Sequence, residues 1–82
     1  MKYIEPIYLT LKDMTVVKII ELIGNSPNSW EEAAQNAVKE AAKTVRNIKG
    51  VDVKHCTAKV EKNRIVEYRA AVKIAFVVER EN

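Results

Sequence analysis

The feature that most constrains the fold is the stretch IVEYRAAVKIAFVVE at residues 65–79. Its alternation predicts a long β-strand with two different faces. The first face is apolar apart from a tyrosine hydroxyl, and we assign it to packing against a helix: Val66, Tyr68, Ala70, Val72, Ile74, Phe76 and Val78. The second face mixes charges with apolar residues, which a surface facing only water would not usually do: Ile65, Glu67, Arg69, Ala71, Lys73, Ala75 and Val77.

The helix that would cover the first face begins at the sequence SWEE. This is a capping box, in which the Ser29 hydroxyl accepts from the Glu32 amide and the Glu32 carboxylate accepts from the Ser29 amide. We predict a helix from Trp30 to about Ile48 that stops at Gly50 in the left-handed conformation. Its apolar positions recur at helical spacing: Trp30, Ala33, Ala34, Ala37, Val38, Ala41, Val45 and Ile48.

The predicted strand is too long for the predicted helix. Residues 65–79 span roughly 50 Å as a strand, whereas residues 30–48 span roughly 29 Å as a helix. About 20 Å of apolar strand therefore needs another cover, and a second copy of the chain is the simplest one. We predict a homo-oligomer; the alternative is a strongly bent strand that folds over its own helix.

The remaining elements complete a β-α-β-β order and an α+β fold class. Residues 15–24 are rich in β-branched side chains and predict a first strand, and residues 51–61 predict a second strand that forms a hairpin with the third. Residues 1–13 alternate weakly and are interpreted as an appendage, either an added edge strand or a leader with little structure. Residues 14–82 form a single domain.

Composition excludes several classes of protein. The chain has 82 residues with one cysteine and one histidine, so neither an internal disulfide nor a histidine–cysteine metal cluster is expected. The net charge of +3 is spread along the chain, which leaves a small RNA-binding protein only as the third hypothesis. No apolar run reaches the length of a membrane helix, no signal peptide is evident, and the single thiol favours a reducing cytoplasm.

The hairpin register determines which polar residues share a face. A three-residue turn at 62–64 would place Glu61 opposite Ile65, Thr57 opposite Arg69 and His55 opposite Ala71. A two-residue turn would bury Lys59 and His55 instead, and is rejected on that ground. The face away from the helix then carries His55, Thr57, Glu67, Arg69 and Lys73, and we predict any polar site there, between subunits.

Neighbouring residues on a strand point to opposite faces, so His55 and Cys56 cannot form a nucleophilic pair, and we expect no enzymatic activity. Cys56 is interpreted as a small core residue. His55 is more often a polar interface residue than a ligand or a base. Trp30, at the first helical position, is interpreted as a packing anchor rather than a platform for stacking a ligand.

Three motifs together resemble the dodecin family: GNSPNSWEEA leading into the helix, TVRNI at its end, and a closing strand of the form Y-x-x-x-V-x-I-x-F. The resemblance covers residue 14 to about residue 79. It implies a three-stranded antiparallel sheet wrapped around one helix, and assembly into a hollow dodecameric shell. In flavin-binding members, a tryptophan just after the helix stacks on the flavin and a glutamine on the last strand contacts the ring edge.

At those two positions this sequence has Gly50 and Arg69, while Trp30 belongs to the motif that starts the helix. The resemblance therefore implies a non-enzymatic protein that binds or stores a small ligand near Arg69, Gly50, His55 and Thr57. The expected ligand is a flavin (FMN or riboflavin), held more weakly than usual, or another anionic nucleotide-like molecule. The alternative is a structural or calcium-binding assembly without an organic ligand.

Overall fold

A computed structural model describes residues 16–78 of the chain. The described residues form four elements: strand β1 at Val16–Ser26, helix α1 at Trp30–Ala41, strand β2 at Ile48–Glu61 and strand β3 at Arg64–Val78. The β-α-β-β order expected from the sequence is confirmed. The expectation for residues 1–13 lies outside the described residues.

The three strands form one antiparallel sheet in the order β1-β3-β2, with β3 in the centre. Helix α1 packs on one side of β1 and β3. Its contact with the sheet is made by three alanines at helical spacing, Ala33, Ala37 and Ala41, which are buried against Ala70, Val72 and Ile74 of β3. The small side chains on this face of the helix let it lie close to the strands.

Gly24 of β1 makes this close approach possible. A Cβ atom at position 24 would overlap the carbonyl oxygen of Ala33 and would lie 3.0 Å from the Cβ of Ala37. The backbone of the helix therefore occupies the space that any larger residue at this position needs.

The prediction for the end of the helix is wrong. The helix stops at Ala41 instead of Ile48, and Asn47 adopts the left-handed conformation (φ 62°) that was expected at Gly50. The carbonyl of Asn47 accepts from the amide of Val77 at 3.1 Å, which draws the chain onto β3. Because Ile48 is β-branched, it favours the first position of strand β2 over continuation of the helix.

The prediction for the hairpin turn is also wrong, although the register that followed from it is correct. The turn has two residues, Lys62 and Asn63, with φ of 52° and 66°, and Glu61 lies opposite Arg64. Positive φ at both central positions is the type I′ geometry, whose twist matches the flanking strands.

An irregularity one pair further along restores the expected register. Val60 pairs with Ile65 and Lys59 pairs with Glu67, so β3 accommodates one extra residue, Val66. Beyond this bulge Thr57 lies opposite Arg69 and His55 opposite Ala71, as predicted.

The mismatch between strand and helix is larger than expected. Helix α1 has 12 residues, about 18 Å, while β3 has 15 residues, about 50 Å. Most of the β2–β3 hairpin therefore extends past the helix. Large apolar side chains of this hairpin are exposed in the single subunit: Val51, Val53, Val60, Ile65 and Val66. Cys56 is exposed with them, so its assignment to the core of the subunit is wrong.

Candidate ligand-binding face

The side of the sheet opposite the helix, here called the open face, is built from alternate residues of all three strands. Because β3 is central, its open-face residues from Arg69 to Ala75 each have one partner on β1 and one on β2. Two cross-strand rows contain the expected site residues of β2 and β3. The first row is Asn25, Arg69 and Thr57, and the second is Ile23, Ala71 and His55.

Arg69 is the central residue of the first row. Its partners across the sheet, Asn25 and Thr57, are uncharged, and its Nη2 donates to the Oε1 atom of Glu67 at 3.4 Å. Glu67 is two residues earlier on the same strand, so both side chains lie on the open face. The row therefore presents a guanidinium whose nearest described carboxylate comes from its own strand.

His55 lies in the second row, at the wall of a concavity of about 510 Å³. The concavity is lined by Glu21, Leu22, Ile23, Lys54, His55, Ala71, Val72 and Lys73. Two loose ion pairs border it, with 3.9 Å between Lys73 Nζ and Glu21 Oε2 and 3.8 Å between Lys54 Nζ and Asp52 Oδ2. Opposite charges thus flank an apolar centre formed by Ile23 and Ala71.

Gly50 is not brought together with the other expected site residues within one subunit. It pairs with Ala75, six residues along β3 from Arg69, or about 20 Å away. A Cβ atom built at Gly50 would meet nothing within 4 Å, so the position opens onto free space. The structure therefore groups Arg69 with Thr57, places His55 beside them, and leaves Gly50 apart.

Sequence reasoning missed the contribution of β1 to this face. Glu21, Ile23 and Asn25 lie directly opposite Lys73, Ala71 and Arg69. The alternation of residues 16–26 predicts which side chains share a face of β1. It does not indicate that β1 pairs with β3, so these residues could not be assigned to the site. Ile23 is 70% exposed in the single subunit, the highest value among the large apolar residues that the structure describes.

Trp30 packs onto the hairpin that carries Thr57 and Arg69. Its indole Nε1 donates to the carbonyl oxygen of Thr57 at 2.7 Å, and its ring meets that of Tyr68 edge to face, with the centroids 4.9 Å apart. These contacts support its interpretation as a packing anchor. Trp30 remains 39% exposed in the single subunit.

The loop before the helix is held by a hydrogen-bond network around Glu32. The Ser29 hydroxyl caps the helix by accepting from the Glu32 amide at 3.0 Å, as predicted. The Glu32 carboxylate, however, accepts from Asn28 Nδ2 at 2.7 Å and from the hydroxyl of buried Ser26 at 3.1 Å, rather than from the Ser29 amide. These two donors, the Asn28 amide first, hold the pKa of the Glu32 carboxyl below its ordinary value.

Within residues 16–78, no group of three or more histidine, cysteine, aspartate or glutamate side chains is arranged to hold a metal ion. None of the helices in that part of the chain is long and apolar enough to cross a membrane. His55 and Cys56 pair with Ala71 and Ala70, on opposite faces of the sheet, and therefore do not form a catalytic pair.

These features define a small α+β subunit with one helix on one face of an antiparallel sheet and an uncovered, partly apolar opposite face. Residues 16–79 match the Dodecin family, and the chain belongs to that family. The match confirms the resemblance inferred from the motifs around the helix and the closing strand.

Two similar proteins illustrate the relationship. The calcium dodecin of Mycobacterium tuberculosis is 36% identical over 63 residues, 77% of this chain and 89% of that protein. A crystal structure of calcium dodecin from that organism is 33% identical, has a TM-score of 0.69, and covers 82% of this chain and 96% of its own. The dodecin of Thermus thermophilus is 31% identical over 64 residues, 78% of this chain and 93% of that protein. The crystal structure of a variant of the T. thermophilus dodecin has a TM-score of 0.77 with 30% identity, and covers 80% of this chain and 98% of its own.

Proposed function

We propose that the chain is a non-enzymatic, dodecin-type homo-oligomer that binds and stores a small ligand on the open face, between subunits. The observation that carries this proposal is the composition of that face. Polar groups of Arg69, Thr57 and His55 lie next to apolar side chains such as Ile23, which a single subunit leaves in water. Such a mixture suits a site that is closed by a neighbouring subunit.

The assembly is proposed to be a dodecamer, as in the family. Two observations support partner subunits: the hairpin extends about 30 Å past its own helix, and both of its faces carry exposed apolar side chains. Among residues 16–78 the fully buried apolar side chains are alanines, Val72 and Ile74, which is a thin core. A small domain with so little buried surface is usually stabilised by disulfides, metals or oligomerisation, and here oligomerisation is the available solution.

A flavin, either FMN or riboflavin, is the first ligand to consider, and the described residues fit it in part. Arg69 can donate hydrogen bonds to the edge of a ring, or to a phosphate, but it has no acceptor to offer. Gly50 has no ring with which to stack, and loss of one stacking contact removes about 1 kcal/mol. We therefore propose a flavin site of reduced affinity, in which burial of the ring between apolar side chains supplies most of the binding energy.

Calcium is the second candidate, supported by the similarity to calcium dodecin. Glu21 and Asp52 flank Lys73 across the sheet and are the acidic groups that could contribute oxygen ligands from one subunit. Since two carboxylates are too few for a calcium site, neighbouring subunits would have to supply the remaining ligands.

The location and the domain boundary are further parts of the proposal. One free thiol and no second cysteine suit a reducing cytoplasm. The family match begins at residue 16, which supports the division into an appendage at residues 1–13 and a dodecin-like domain at residues 14–82.

The experiment combines mass, colour and ligand response of the purified full chain. Light scattering after size exclusion should give a mass near twelve subunits, and riboflavin, FMN or coenzyme A should raise the melting temperature. A stable monomer would contradict the assembly, and a dodecamer unaffected by all three compounds would contradict the organic ligand. Calorimetric titration with calcium chloride then separates the two candidates, because heat of binding with calcium alone favours the ion-binding assembly.

A further inference from the structure

The charges around Arg69 indicate which ligands the open face accepts. Its row across the sheet is otherwise uncharged, since Asn25 and Thr57 are its partners on β1 and β2. The carboxylate of Glu67 lies 3.4 Å from its Nη2. Glu67 pairs in register with Lys59, but the Lys59 Nζ is itself 3.4 Å from Glu61 Oε2. The described ion pair of Glu67 is therefore with Arg69.

We propose that Glu67 sets the charge selectivity of this face, so that it favours a neutral ring ligand over its phosphorylated form. This inference rests on the proposed function, because it concerns the ligand of the same site. The carboxylate compensates the guanidinium, and the row presents little net positive charge to an incoming ligand. Without Glu67, Arg69 would be an uncompensated cation of the kind that binds phosphate.

The exposure of the two side chains indicates that Glu67 stays in place when Arg69 turns toward a phosphate. The Arg69 side chain is 44% exposed and that of Glu67 is 27% exposed, so the arginine can move more freely than the carboxylate. When Arg69 leaves Glu67 to contact a phosphate, the carboxylate remains on the same face two residues away. A phosphate bound there is then repelled by a like charge at close range, whichever way the arginine points.

Riboflavin and FMN differ by one phosphate and therefore measure this selectivity directly. The ratio of their dissociation constants is determined by fluorescence titration for the full-length protein, for Glu67→Gln and for Arg69→Gln. Glu67→Gln should shift the ratio toward FMN by about three- to tenfold, the range expected for partly exposed charges. Arg69→Gln should shift it the opposite way.

The chain offers a control in Glu40→Gln. Glu40 forms an ion pair of 3.1 Å with Lys43 at the exposed surface of helix α1, on the other side of the sheet from Arg69 and Glu67. This variant should leave the ratio unchanged. A shift as large as that of Glu67→Gln would show that net charge, not the position of Glu67, is responsible, and would overturn the proposal.

Sodium pyrophosphate provides a probe without a ring. It should raise the melting temperature of Glu67→Gln at concentrations that leave the parent protein unaffected. An unchanged flavin ratio in Glu67→Gln overturns the proposal, and so does equal response of both proteins to pyrophosphate. If no variant binds either flavin, the pyrophosphate result still decides the role of Glu67. In that case only the flavin hypothesis fails, and this failure can be distinguished from failure of the proposal for Glu67.

Discussion

The indole Nε1 of Trp30 donates a hydrogen bond of 2.7 Å to the backbone carbonyl of Thr57. The two residues are 27 positions apart in the chain, and the bond connects the first turn of the helix to the edge strand β2. Because the Trp30 ring also meets Tyr68, it contacts the two strands that carry Thr57 and Arg69. The helix therefore helps to position the hairpin that presents the proposed ligand site.

Trp30→Phe should separate the hydrogen bond from the ring contact. Phenylalanine keeps an aromatic edge near Tyr68 but cannot donate, so the free energy of unfolding should fall by about 1 kcal/mol. Trp30→Ala removes both contacts and should cost more. Urea denaturation at a fixed subunit concentration measures both effects, since the stability of an oligomer depends on concentration. Equal losses for the two variants would contradict a distinct contribution from the bond to Thr57.

Replacement by alanine should destabilise the protein strongly at Gly24 and hardly at Gly50. Gly24→Ala places a Cβ atom against the carbonyl oxygen of Ala33, which is backbone and cannot rotate away. Overpacking of this kind costs about 3 kcal/mol or prevents folding. Gly50→Ala meets nothing within 4 Å and should change the stability by less than about 0.5 kcal/mol. Thermal denaturation of both variants tests the pair, and a neutral Gly24→Ala would show that the helix can move away from β1.

The network around Glu32 predicts a specific sensitivity to acid. The pKa of this carboxyl is lowered in the folded protein from an ordinary value of 4.5, chiefly by the Asn28 amide and then by the Ser26 hydroxyl. A lowered folded pKa means that the ionised group stabilises the fold above about pH 4.5, and that this contribution is lost as the pH falls through the folded value.

Glu32→Gln should therefore flatten the dependence of melting temperature on pH as the pH falls below about 4.5. Glu31→Gln, one residue earlier and outside the Ser26–Asn28 network, is the control. If both variants follow the parent curve in acid, ionisation of Glu32 does not contribute to the pH dependence of stability.

The sequence predicted those features that depend on local chemistry or on a strong alternation of residues. The cap at Ser29 required only the next few residues, and the two faces of β3 followed from its alternation. The end of the helix could not be predicted in this way, because Asn47 and Ile48 leave the helical path only when β3 is available to pair with them.

The hairpin shows a related limit. The predicted three-residue turn and the observed two-residue turn with a bulge at Val66 give the same pairing of Thr57 with Arg69. The alternation of the two strands predicted that register, whereas the path of the turn was decided by backbone conformations at Lys62 and Asn63. The candidate site was therefore predictable on β2 and β3. Its β1 residues were not, because nothing local indicated that β1 is the other neighbour of β3.

Ile23 provides a test of the open face as an interface. This side chain is 70% exposed, so a glutamate in its place would be tolerated by a subunit that stands alone. In an assembly that covers the face, Ile23→Glu would bury an unpaired carboxylate beside Ala71, a cost that disfavours association. We expect this variant to elute as smaller species or to fail to fold, while Gln35→Glu, which adds the same charge to an exposed helix position, keeps the parent mass. Light scattering measures both masses, and an Ile23→Glu protein that retains the full assembly would show that the open face faces solvent, not a neighbouring subunit.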